Sequence, residues 1–233
     1  MSVTPPNSRL ATGFTLLELI IVVAILATLA GGVVLMVGQT EEITQGQIGL
    51  VEMSEIREAI VQFKRDTGYL PKQGPFDLTT NGGAVPPPVE GEDWFNSPAN
   101  FSQLFQNPLA NTGHSLASWN PDTKRGWRGP YLTTSGEGRV DVGSNLNLDG
   151  SGDPQAGSLL NDVFGIADPF YSSPKGSYFV WATNPTAPPY SRFGRPYFVF
   201  DLHDPQKARI VGMGPNRQYD QGAQDDIIVY LFR

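Results

Sequence analysis

Between Leu19 and Thr40 the chain carries no charged residue, and the apolar run around this stretch extends from Phe14 to Val37. As a helix, 24 residues rising about 1.5 Å each reach about 36 Å, enough to cross a hydrocarbon core of about 30 Å. Residues 1–13 carry Arg9 and the amino terminus as their charges, while Glu41 and Glu42 follow the run. Positive charge before the span keeps the N-terminus cytoplasmic and puts the rest of the chain outside. Three plainer readings compete. A cleaved secretory signal has a small-residue site at Thr28-Leu29-Ala30, but such apolar regions run only about 7–15 residues. A simple membrane anchor and a buried soluble helix are the others, the second disfavoured by length. Glu18 separates all three from a sharper reading: a carboxylate inside a span costs about 2.5–3.5 kcal/mol on insertion scales and needs a cation or a function. No Lys, Arg or His lies from Leu10 to Gln47. If the chain were cut between Gly13 and Phe14, the new amine of Phe14 would sit at the depth of Glu18 of a neighbouring subunit and supply that cation.

Beyond the span the pattern turns amphipathic. Ile48, Met53, Ile56, Ala59, Ile60 and Phe63 recur at spacings of three and four with charged residues between them, so the helix is expected to run to Arg65 or Asp66. Gly68 then stops it and Pro71 forbids its resumption. Residues 72–130 are loop-rich, with a short helix expected near Phe101 to Gln106. Aromatic and β-branched runs at Ser177–Thr183, Pro196–Leu202, Ala208–Met213 and Ile227–Phe232 read as strands of an antiparallel meander. The fold class is therefore α+β: a long N-terminal helix on a small C-terminal antiparallel sheet with long loops. Trp127 and Tyr131 read as core or loop anchors. The expected divisions are a leader at 1–13, the helix at 14–66 and an extracytoplasmic globular domain at 67–233.

Composition removes several functions. A net charge of -7 is the wrong sign for an electrostatic nucleic-acid surface, so no nucleic-acid partner is expected. The absence of cysteine removes zinc-thiolate sites, disulfides and thiol catalysis. The two histidines, His114 and His203, stand in no zinc-protease motif, and no nucleophile elbow, Walker A or dinucleotide fingerprint occurs. Ser172-Ser173-Pro174-Lys175 matches S-x-x-K in letters, but Pro174 spoils the helical turn that would place Lys over Ser. The chain is not expected to be an enzyme.

Gly13-Phe14-Thr15-Leu16-Leu17-Glu18-Leu19 resembles the prepilin peptidase site of type IV pilins and type II secretion pseudopilins. Gly126 to Leu132, Phe193 to Tyr197, and Gly212 to Asn216 with Asp225-Asp226-Ile227 resemble further segments of the major, G-type pseudopilin. The likeness covers about 13–71, 126–132 and 193–232, and leaves 72–125 and 133–176 as insertions. It implies cleavage after Gly13, N-methylation of Phe14, assembly through Glu18 and the N-terminal helices, and a separate ATPase that drives polymerisation. The implied partners are prepilin peptidase, further copies of the chain, minor pseudopilins and an inner-membrane assembly platform. The implied place is the inner membrane, single-pass, with the C-terminal domain periplasmic and the filament periplasmic or extracellular.

Calcium is the one cofactor the residues suggest, because hard cations take clustered carboxylates, amides and carbonyls on tight loops. One candidate is the loop from Met213 to Asp226 with Asn216, Asp220, Asp225 and Asp226; the resemblance implies calcium there. The weaker candidate is Asn145, Asn147, Asp149 and Asp153, which reads like the front of an EF-hand loop without its closing Glu, Ala156 standing in that place. A merely polar turn is the alternative for the first loop, and an Asx-rich turn accounts for the second equally well. The expected function is a filament subunit for protein export. The alternatives are a type IV pilin for adhesion, motility or DNA uptake, and a membrane-anchored extracellular binding or hydrolytic domain.

Overall fold

The structure, a computed structural model, describes residues 15–78, 95–133, 139–143, 146–152, 159–166, 180–182, 196–216 and 219–233; for 33–42, 139–143, 159–162 and 180–182 the description is of the backbone alone. The chain divides into two units, Met1–Ile43 and Thr44–Arg233. Helix α1, Leu16–Thr67, supplies the described part of the first unit and the opening of the second. In the first unit every side chain from Thr15 to Gly32 is exposed, including Leu16 at 77% and Leu29 at 61%. That is far more continuous apolar surface than water tolerates on a monomer.

In the second unit α1 becomes a core helix. Met53, Ile56, Ala59, Ile60 and Phe63 are buried, as their spacing requires, but Ile48 is exposed. The apolar stripe is thus covered only from Met53 onward, one turn later than the sequence pattern indicates. The helix ends at Thr67, whose hydroxyl donates to Phe63 O at 2.7 Å. Gly68 takes φ +88° and donates to Lys64 O at 2.8 Å, a glycine-assisted stop.

The sheet beneath is β4 Phe198–Phe200, β5 Arg209–Gly212 and β6 Ile227–Tyr230, antiparallel in that order. Phe198 faces Val211 and Ile210 faces Val229 across the pairs. Three polar ties fasten the helix to it. The Arg57 Nε donates to Tyr230 O and Leu231 O at 3.1 and 3.0 Å, Tyr197 Oη donates to Glu52 at 2.7 Å, and Lys64 lies 4.4 Å over the Phe232 ring. The long helix on a small antiparallel sheet is the expected α+β arrangement.

A four-strand meander does not form. Val180–Ala182, the described part of the Ser177–Thr183 run, is β3 of a second sheet ordered β2-β1-β3, with β1 at Arg139–Gly143 and β2 at Leu159–Phe164. Asn161 and Asp162 put strand-averse residues inside β2, and the β1–β2 register slips between Val140 and Val142. Both features erase the period-two signal. The described residues of the region 133–176 therefore include two strands of that sheet, β1 and β2.

The other insertion contributes core. A short helix α2, Ser102–Phe105, forms where expected, and Phe76, Phe95, Phe101, Leu104 and Leu109 are all buried. Phe63 meets Phe76 at 4.8 Å and Tyr131 at 5.4 Å between ring centroids. Trp127 stands edge-on to Tyr131 at 5.7 Å and donates through Nε1 to Gln103 O at 3.4 Å, so both act as anchors on the core. Gly126 is obligatory here, since an added Cβ would lie 2.0 Å from Ser118 O. Phe63→Ala is expected to lower unfolding stability by about 3–5 kcal/mol, while Ile48→Ala stays within about 0.5 kcal/mol. Denaturant midpoints of the two variants check this.

Candidate functional site

The N-terminal motif is described from Thr15 onward; Gly13 and Phe14 lie outside the described residues. Thr15 N–H and Thr15 Oγ1 each donate to Glu18 Oε2 at 3.0 Å. Glu18 N–H donates back to Thr15 Oγ1 at 3.2 Å. This is a reciprocal capping box, in which an N-cap Thr and an N3 Glu satisfy donors that the first turn of a helix leaves open. The signal was legible as T-x-x-E in Thr15-Leu16-Leu17-Glu18. It changes the account of Glu18, because the carboxylate has local partners and does not depend on a neighbouring chain alone. The Thr28 hydroxyl is likewise satisfied, donating to Ile25 O at 2.8 Å, and α1 runs unbroken through Thr28–Ala30. A Cβ added at Gly31 or Gly32 would meet nothing within 4 Å, so packing within the chain does not demand glycine there. Among the described residues no helix is long and apolar enough to cross a membrane; the described side chains of α1 stop at Gly32 and resume at Ile43.

The second candidate is the β5–β6 connection. Met213 is fully buried in the core at its start. Gly214 takes φ +61°, and its added Cβ would fall 2.2 Å from Asp225 O, so the two loop ends touch backbone to backbone. Asn216 N–H donates to Asp225 Oδ2 at 2.7 Å, and Asn216 Nδ2 to Asp220 Oδ2 at 2.6 Å. Asp226 Oδ2 accepts from the N–H groups of Asp220 and Gly222 at 2.9 and 2.8 Å. Its other oxygen, Oδ1, is buried with no hydrogen-bond partner. Burial pushes the Asp226 carboxyl up to about 6; the Gly222 and Asp220 N–H groups pull it down, and the charges of Asp220 and Asp225 push it further up. The four expected residues are thus brought into one loop, but they are knit mainly to its own amides. Among the described residues no group of three or more carboxylate or imidazole side chains is placed to hold a metal.

Of the weaker set, Asn145 and Asp153 lie outside the described residues. Asp149 Oδ1 accepts from Ser151 N–H and Oγ at 2.9 and 2.6 Å, which hold its carboxyl below the usual range. Asn147 donates to Ser151 Oγ at 2.9 Å. These residues close a tight turn on themselves. Tyr219, which the sequence did not single out, joins this turn to the β5–β6 loop by donating to Gly150 O at 2.8 Å.

The capped, exposed apolar helix start follows the Gly13-Phe14 pair in the sequence. The family described as the prokaryotic N-terminal methylation motif matches residues 8–34. That match supports a type IV pilin-like protein, processed by prepilin peptidase and assembled into filaments. No curated protein and no solved structure matches the chain.

Proposed function

We propose that the chain is a pseudopilin: a non-catalytic subunit cleaved behind Gly13, methylated on Phe14, held in the inner membrane by Phe14–Val37 and polymerised into a periplasmic filament of a type II secretion system. The observation that carries this reading is the methylation motif on a helix whose apolar side chains from Leu16 to Leu29 are all exposed. Such a surface is stable in lipid and, after extraction, against copies of itself. The minor pseudopilins, assembly platform and ATPase belong to the same proposal. A surface pilus shares every feature up to this point, and filaments extending beyond the cell would select it instead.

Calcium at the β5–β6 loop is part of the proposal. Asp226 Oδ1 is a buried oxygen without a partner, and an oxygen-seeking cation fits that state. Asp226 would hold the ion with Asp220 and Asp225 once their carboxylates turn from the loop donors they accept from to a common point, and the ion would offset their charges. The ion supplies positive charge that lets three carboxylates share one loop.

Mass spectrometry of the mature protein tests the processing. It is expected to find N-methyl-Phe14, with net charge moved from -7 to -8 by loss of Arg9. A mature N-terminus at Gly31 would mean that the stretch is a secretory signal.

A further inference from the structure

Within the second unit, a cavity of about 100 Å3 opens where the loop after α1 meets α2 and the end of β4. Its lining is mainly apolar: Ile60, Phe101, Leu104 and Val199 come from the core, and Leu148 and Leu202 stand beside them. Lys72 is a charge-bearing part of this wall, with His203 exposed beside it. Lys72 is held in place by its own backbone. It adopts φ +63°, and its N–H donates to Gln103 Oε1 at 2.8 Å, while Gln103 Nε2 donates to Phe76 O at 2.8 Å.

The amine at the end of this side chain is in an unusual position. It donates to Ser97 O at 2.6 Å, and among the described residues no carboxylate pairs with it. An ammonium has three donors, and a buried one is stable only when paired. Burial alone holds the Lys72 amine down to about 7, so near neutral pH an anion arriving in the cavity finds it ready to take the proton. An apolar pocket with a single convergent charge of shifted pKa is the common form of a small-molecule site.

We propose that this cavity binds a small apolar carboxylate, its hydrocarbon part against Ile60, Leu104 and Val199 and its carboxylate on Lys72. The size sets the limit at a short branched aliphatic chain, since a cavity of about 100 Å3 is smaller than the apolar cavity of about 150 Å3 that holds benzene. The alternative is that Lys72 only fastens the 95–100 segment through Ser97 O.

Calorimetric titration of the full-length protein in detergent at pH 7, with isobutyrate as the probe and isobutyl alcohol as its uncharged counterpart, separates the two. Isobutyrate is expected to bind at least tenfold more tightly than isobutyl alcohol, and Lys72→Met to remove that difference while leaving the weak alcohol binding in place. Leu148→Trp at the exposed rim is expected to weaken both probes at least tenfold without unfolding risk, because Leu148 is 38% exposed. Isobutyrate binding that is absent, or equal in wild type and Lys72→Met, or untouched by Leu148→Trp, overturns the proposal.

Discussion

Glu18→Gln is expected to leave the protein helical, inserted and cleaved, and to abolish its incorporation into filaments. Glutamine preserves the capping box, since Gln at N3 accepts the same hydrogen bonds as Glu, but it removes the charge that a neighbour's Phe14 amine would meet. Glu18→Ala removes both, so the pair of variants separates helix capping from subunit pairing. Loss of the cap contributes about 1 kcal/mol, which a long helix absorbs. Leaving a terminal amine unpaired in an apolar filament axis costs about 3–5 kcal/mol, enough to suppress assembly more than a hundredfold. Thr15→Ala is expected to fall on the other side, with a weakened first turn and filaments retained. Sheared-filament yield against membrane-fraction protein gives the readout. Filaments at wild-type yield from Glu18→Gln would show that the hydrogen bonds from Thr15 suffice and that no intersubunit charge pair is needed.

The sequence shows some parts of this fold better than others for physical reasons. The second half of α1 is legible because one face is buried and its period survives from Met53 to Phe63. The sheet β4-β5-β6 is legible because aromatic and β-branched residues crowd short segments punctuated by Gly and Asp. The second sheet is not, since β1 is five residues long and β2 carries Asn161 and Asp162 where a strand wants apolar or β-branched residues. The core role of residues 95–109 is hidden for a different reason: Phe95, Phe101, Leu104 and Leu109 lie in turns and short helical stretches, where burial leaves no periodic trace. Glu18 is visible as an anomaly, but hydropathy alone hides its local partner. The T-x-x-E box is one turn long and stands inside a run read only for its hydropathy. Lys72 gave no signal at all, because a single lysine after a helix is ordinary until tertiary packing closes over it.

Chelator is expected to lower the melting temperature of the detergent-solubilised protein by about 5–10 °C relative to millimolar calcium. A site with free ion at a hundred times Kd stabilises by about 2.7 kcal/mol, and each kcal/mol shifts a unit of this size by about 2–4 °C. The pH dependence reports on the same carboxylate. Without metal, Asp226 holds its proton up to about 6 in the folded protein against 3.8 for the ordinary carboxyl. The folded state therefore binds more proton than the unfolded one between these values, and stability falls as pH rises through that window. Wild type in chelator is expected to melt lower at pH 7 than at pH 5, and Asp226→Asn to flatten that slope. Bound calcium reverses the sign, because it holds the carboxylate ionised, so the calcium-dependent gain grows from pH 5 to pH 7. Asp225→Ala is expected to abolish the gain and Asp149→Ala to leave most of it, since Asp149 is already held by Ser151. A chelator without effect on wild type would make the Met213–Asp226 loop a polar turn closed by its own amides. A gain lost in Asp149→Ala and kept in Asp225→Ala would move the ion to the 145–153 turn, with Tyr219 as the link through which it steadies the β5–β6 connection.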